Sequence, residues 1–289
     1  VFAIAFDINE DRFALFEVTG AASHIMGSGI RLGQLAFAKH PDPRIYFIRE
    51  DGQLVTLTYF PKEKVIGFTR YVTDGTFEAV AVIPQSNGRP DSVYVVVKRI
   101  IGGFPKRYIE VLDEEAITGR YWTSLQTDCA KVYSFGGVPT TVLTGLDHLE
   151  GKTVNVITDG SFRSTKIVSG GQITLDEAAS DNAEVGLDYT SRFTTMRPAI
   201  EGSMVEGLPR AWIKLWARVK DTIGGKIMGE WINYPPPEEL GDNPLRTGDV
   251  DVTPPTVWDT DGRITIEQTQ PYPMTLLAIF GDIEFGDHG

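Results

Sequence analysis

An all-β fold is what this sequence predicts, and three observations predict it. Apolar residues recur with a period of two rather than 3.6: in Arg210–Lys220, Trp212, Lys214, Trp216 and Arg218 alternate with Ile213, Leu215, Ala217 and Val219. Turn dipeptides such as Asp51–Gly52, Gly102–Gly103 and Asp159–Gly160 punctuate the apolar runs at short intervals. No segment of ten or more residues carries a clean helical period. The expected architecture is an antiparallel meander, a propeller-like platform with an inserted small β-barrel or sandwich module.

The elements follow in order. Val1–Phe6 and Arg12–Val18 form a hairpin around a polar turn, and Gly20–Gly33 reads as a loop or short helix. Residues 45–112 hold six strands: Ile45–Ile48, Leu54–Tyr59, Val65–Val72, Phe77–Ile83, Ser92–Ile100 and Arg107–Leu112. Asp113–Ala116 opens a turn of helix before Tyr121–Trp122. A second module then carries Thr140–Leu143, Thr153–Asp159, Phe162–Val168, Gln172–Leu175 and Glu184–Leu187. Longer strands resume at Arg210–Lys220, Lys226–Trp231, Arg263–Gln268 and Met274–Phe280, with extended loops at Tyr234–Pro237 and Pro254–Pro255. The expected organisation is a β-meander over 1–128, an inserted β module over 129–190, and a β segment over 191–289 completing the platform. Val1 stands where Met would begin a chain, and it falls inside a strand. The expectation is a fragment whose first domain is incomplete at its N-terminus.

Composition narrows the function classes. The 289 residues carry 27 Lys+Arg against 39 Asp+Glu, a formal charge of −12. Nucleic-acid binders present basic patches that release counterions. The densest basic groups here, Lys98–Arg99 with Lys106–Arg107 and Arg210/Lys214/Arg218/Lys220, are interleaved with apolar residues as on a solvated strand face. Tight DNA binding is not expected, whereas an acidic surface that DNA slides past is compatible with this balance. The 15 Phe, 10 Tyr and 5 Trp argue against disorder, and the 30 Gly and 17 Pro are turn chemistry. One cysteine, Cys129, excludes an intrachain disulfide framework and a cysteine zinc cluster. No apolar run approaches the ~18 residues of a membrane helix.

Candidate sites dissolve one by one. Gly145–Thr153 looks like a phosphate loop, but five residues separate its glycines instead of four, and a strand follows instead of a helix. Asp7–Asp11 begins like a calcium loop, with Arg12 where Gly is needed and Val18 where Glu is needed. Asp249, Asp251, Asp259 and Asp261 lie near Trp258 and could offer a cation site or a glycosidase pair, without any fixed separation. His24, His40, His148 and His288 form no metal motif, and Ser161 and Ser203 sit in no nucleophile elbow. The sequence nominates no catalytic, cofactor-binding or metal-ligating residue and reads as a non-enzyme. The five tryptophans Trp122, Trp212, Trp216, Trp231 and Trp258 beside acidic loops sustain one alternative, a carbohydrate-binding or glycoside-active β protein.

Ordered motifs carry a family resemblance. Asp51–Gly52–Gln53–Leu54 through Leu57–Thr58–Tyr59 fits a "DG-x-L-x-x-LTY" pattern. It is followed by Val65–Arg70, Thr73–Asp74–Gly75, Glu78–Pro84, Val95–Arg99 and Arg107–Glu110, then Gly145–Val154 and Val185–Tyr189. Together they resemble the C-terminal half of tail nozzle proteins of tailed bacteriophages, the tail tubular protein B type. The likeness covers most of residues 40–285 and departs at Phe68, where Trp is common, and Lys98, where Arg is common. It implies a structural virion protein in the tail, assembled in the host cytoplasm. It further implies a homohexameric ring below a tail adaptor, with fibres or spikes attached and genomic DNA ejected through it, and it carries over no catalytic residue. A spike-adaptor role is the neighbouring possibility.

Overall fold

The computed structural model describes residues 2–7, 12–26, 31–63, 65–86, 89–113, 125–199, 207–232, 245–255 and 257–286. The chain is all-β with antiparallel pairing throughout these residues, and it divides into two compact units, Val1–Glu115 and Ala116–Gly289. Among the described residues no helix is long and apolar enough to cross a membrane. The helix expected from Asp113 and the loop at Tyr234–Pro237 fall outside the described residues, apart from Asp113 itself.

The first unit starts with a hairpin, β1 (Phe2–Asp7) and β2 (Arg12–Glu17). A 3-10 turn at Gly20–Ala22 and one helical turn, α1 (Ser23–Met26), follow. A four-stranded meander comes next: β3 (Leu32–Ala38), β4 (Arg44–Arg49), β5 (Leu54–Phe60) and β6 (Val65–Tyr71). A separate three-stranded meander holds β7 (Thr76–Ile83), β8 (Ser92–Ile101) and β9 (Phe104–Leu112). The Thr73–Asp74–Gly75 turn reads in sequence as a hairpin return, but it carries the chain from one sheet to the other.

Alternation explains the layering. Tyr46, Ile48 and Leu54 from one sheet meet Phe77, Val80, Val93, Val95 and Val97 from the other in one core. Phe47, Val55 and Leu57 point to the opposite face, where Val18, Ile25, Met26 and Ala3 cover them. The two central strands, β4 and β5, are therefore apolar on both parities, as a layer covered on both sides requires. One charge is buried here. Arg99, 1% exposed, donates two hydrogen bonds to Glu110 (both 2.7 Å) and a third to the Asp74 carbonyl.

The second unit contains β10 (Asp128–Ser134), β11 (Thr140–Thr144), β12 (Thr153–Thr158), β13 (Ser161–Ile167), β14 (Gln172–Ala179) and β15 (Asn182–Leu187). They pair as β10-β15-β12-β13 and β11-β14. Leu143, Leu149, Val154, Val156, Ile173 and Val185 fill the one core that the two sheets share. The buried Glu184 carboxylate accepts from the Gln126 and Thr127 amides and the Thr127 hydroxyl at 2.6–2.8 Å, fixing where the chain enters.

Beyond it come β16 (Ser191–Thr194), β17 (Arg210–Thr222), β18 (Lys226–Ile227), β19 (Glu230–Trp231), β20 (Arg246–Val252), β21 (Thr265–Gln268) and β22 (Thr275–Phe285). The sheets are β16-β21-β18-β19 and β20-β17-β22, with Leu215, Ala217, Val219, Ile227, Val250 and Ile266 in a joint core. The Tyr272 hydroxyl accepts from the Phe162 amide at 2.9 Å, tying β13 to this part of the unit.

Candidate interaction surfaces

The phosphate-loop look-alike has spent its donors. The amides of Leu146, Leu149, Gly151 and Lys152 all donate to protein carbonyls, and the Glu150 carboxylate accepts from the Gly170 and Gly171 amides at 3.0 and 2.7 Å. A phosphate cradle needs those amides free and aimed outward. Gly145 and Gly151 have φ of +77° and +75° because the chain turns sharply on each side of the 3-10 turn Asp147–Leu149.

The four aspartates do not converge. Asp249 faces Arg218 across the β17–β20 ladder in a bidentate pair of 2.7 and 2.9 Å, and that hydrogen bonding holds its carboxyl below the ordinary aspartate value. Asp261 accepts from Arg197 at 2.7 Å, and Asp259 accepts the Gly262 amide in a turn. Asp251 stands opposite Trp216 in the ladder. Among the described residues, no three His, Cys, Asp or Glu side chains gather as metal ligands. Asn9, Glu10 and Asp11 of the calcium-loop look-alike, and His288, Ser203 and Trp122, lie outside the described residues.

The arginines of the two basic groups are also engaged. Arg99 is buried, and Arg107 holds Glu78 at 2.6 and 3.1 Å, lowering that carboxyl's pKa. Arg210 is buried beneath the Pro198 and Leu208 carbonyls with its guanidinium over Phe285. A bulge between Trp212 and Lys214 corrects the simple alternation of β17. It turns Trp212 toward the core, where its indole N–H donates to the Gly262 carbonyl at 2.9 Å, and leaves Ile213 exposed. Trp216 stacks on Phe280 at 6.1 Å, and the Arg218 guanidinium lies 5.6 Å from the same ring. Lys226 sits over Trp231, and Trp258 is half exposed. The described tryptophans thus occupy separate positions and line no common cleft.

No protein-family model matches this chain, and no curated protein matches it.

Once these groups are accounted for, two exposed apolar sheet faces stand out among the described residues of the first unit. On the hairpin, the register places Phe2, Ile4, Phe13, Leu15 and Glu17 on one face. Ile4 and Leu15 are each 67% exposed. On the β7–β9 sheet, the outward rows are Ala79–Val96–Ile109 and Ala81–Tyr94–Val111, with Ile83 beyond them. Ile109 is 79% exposed. An antiparallel sheet with one wet face ordinarily turns polar residues to water, so an apolar outer face marks an interaction surface. Ion pair Glu78–Arg107 and Lys98 form the charged row next to Val96 and Ile109, with exposed Ile100 beyond it. Sequence reading missed both surfaces. The available signal was Val93–Val97, apolar on both parities, and the unbroken Tyr108–Ile109 and Val111–Leu112 pairs on its neighbour.

Proposed function

We propose that this chain is a structural subunit of the short-tail nozzle of a tailed bacteriophage, self-assembling into a ring through which DNA is ejected. The ordered motifs from Asp51 to Tyr189 support the reading, and the apolar outer face of the β7–β9 sheet is the observation that carries it. A subunit built for permanent assembly exposes apolar area that a monomeric protein hides. In this reading the meanders of the first unit belong to a propeller-like platform, residues 129–190 form its inserted module, and adaptor and fibres are the neighbouring partners. The charge is unevenly spread. Residues 1–115 carry 13 Lys+Arg against 15 Asp+Glu, a net −2, and residues 116–289 carry 14 against 24, a net −10. An acidic lining repels the DNA backbone and offers it no counterion release, so DNA passes without sticking.

The test is electron microscopy and mass measurement of the protein with its adaptor. Rings that add to tail particles are expected, and a strict monomer that never joins them overturns the proposal. The Trp216–Phe280 stack favours a second reading, a carbohydrate-binding surface. A glycan array and a reducing-sugar assay, both blank, remove it.

A further inference from the structure

We infer that a second copy of this chain docks head to tail through residues 1–115, the outer face of the β1–β2 hairpin in one copy lying on the outer face of the β7–β9 sheet in the next. The inference rests on the ring reading above and names the surfaces that would close it. Three observations carry it.

The first is that these two apolar faces of the unit are different surfaces. A ring needs a heterologous contact, in which two distinct patches meet, whereas a twofold dimer uses one patch twice. The dimensions agree as well. At about 3.3 Å per residue, a six-residue hairpin strand spans about 20 Å and the nine-residue β9 about 30 Å, so one face fits within the other.

The second observation is charge segregation. Every copy carries −12, and copies that met through residues 116–289 would press a net −10 against a like charge. Contact through the first unit sets −2 against −2, the smallest repulsion that the chain offers. The third is complementarity at the rims. Glu17 ends the hairpin face beside Phe2 and Leu15, and Lys98 borders the Val96–Ile109 row of the sheet face, with Ile100 beyond it. Laid together, the two apolar faces bring opposite charges to their edges.

The test uses full-length chain with two variants, Leu15→Glu and Ile109→Glu. Both positions are mostly exposed, so far-UV circular dichroism is expected unchanged. Light scattering is expected to show at least a tenfold loss of association for each variant alone. Mixing the two restores dimers, because the intact hairpin of an Ile109→Glu copy meets the intact sheet of a Leu15→Glu copy. It restores no rings. In a Cys129→Ser background, Leu15→Cys copies oxidised with Ile109→Cys copies are expected to cross-link as mixed pairs. Wild-type copies that assemble while both glutamate variants also assemble, or cysteine variants that pair only with themselves, overturn this docking and leave the ring reading standing. A wild-type chain that stays monomeric overturns the docking by itself. The nozzle reading falls with it only if that chain also never joins tail particles.

Discussion

Two side chains show what single residues contribute. Arg99 is enclosed, and Glu110 neutralises it through two parallel hydrogen bonds. Glu110→Ala strands a buried guanidinium and is expected to lower stability by about 3–5 kcal/mol in denaturant unfolding. Arg99→Met with Glu110→Leu removes both charges together and is expected to recover most of that loss. Asp159 acts through its backbone shape and its acceptors. It has φ of +49° in the turn between β12 and β13, and its carboxylate accepts the amides of Ser180, Asp181 and Asn182 at 2.9–3.1 Å. Burial pushes that carboxyl up, but the amides and Arg163 outweigh burial and hold it below the ordinary 3.8. The lowered value stabilises the fold at pH above the unfolded value. That contribution drains away as pH falls below about 4, through the folded value. Asp159→Ala is expected to cost about 1–2 kcal/mol, from left-handed strain and lost acceptors, and to flatten the acid limb of a stability-against-pH curve. Asp159→Asn, which tolerates the conformation, costs less.

At the scale of elements, β22 depends on a glycine. A Cβ on Gly281 would run into the Lys214 carbonyl and sit 3.1 Å from the Leu215 Cα, both on the neighbouring β17. Gly281→Ala is expected to open this ladder, lowering the melting temperature and speeding amide exchange in β17 and β22. The same residue explains a boundary that sequence reading set too early. The strand expected to end at Phe280 runs on through Gly281 to Phe285. Where strands carried β-branched runs between glycine turns, from Ile45 to Leu112, residues alone located them within a residue or two, save at Phe104–Lys106, where β9 starts ahead of its expected Arg107. Strands without that signature escaped notice: Leu32–Ala38 follows a glycine-rich stretch, Asp128–Ser134 is bulged, and Arg246–Val252 was read as carboxylates in search of a site. Asp159–Gly160 marks the β12–β13 hairpin, but the pairings β10-β15 and β15-β12 were out of reach, because they join residues far apart in sequence and no local turn specifies them. Of the candidate sites, only their failures were legible. Spacing disqualified Gly145–Thr153 beforehand, and the hydrogen bonds of its amides give the physical reason.

For the molecule as a whole, charge bears on the self-assembly proposed above. Association of chains that each carry −12 is opposed at long range and favoured at contact by apolar burial. Adding salt from about 10 to 150 mM shortens the screening length from about 30 to 8 Å and is expected to strengthen self-association, as sedimentation can follow. An assembly held by ion pairs would respond in the opposite sense. Calorimetry is expected to resolve more than one transition, since the two units have separate cores.

The valine-rich strand β8 has a consequence for the life of the chain before assembly. Val93–Tyr94–Val95–Val96–Val97 has no charge, no proline and high strand propensity, the composition of segments that stack into cross-β aggregates when exposed. Folding hides Val93, Val95 and Val97 but leaves the outer row in contact with water. Beside it, β9 carries Pro105, Lys106 and Arg107 directly after its first residue, and these discourage further strands from adding to the open edge. In the proposed ring, newly made copies would have to find their neighbours faster than they find one another's unfolded strands. Expression level and temperature would set that competition.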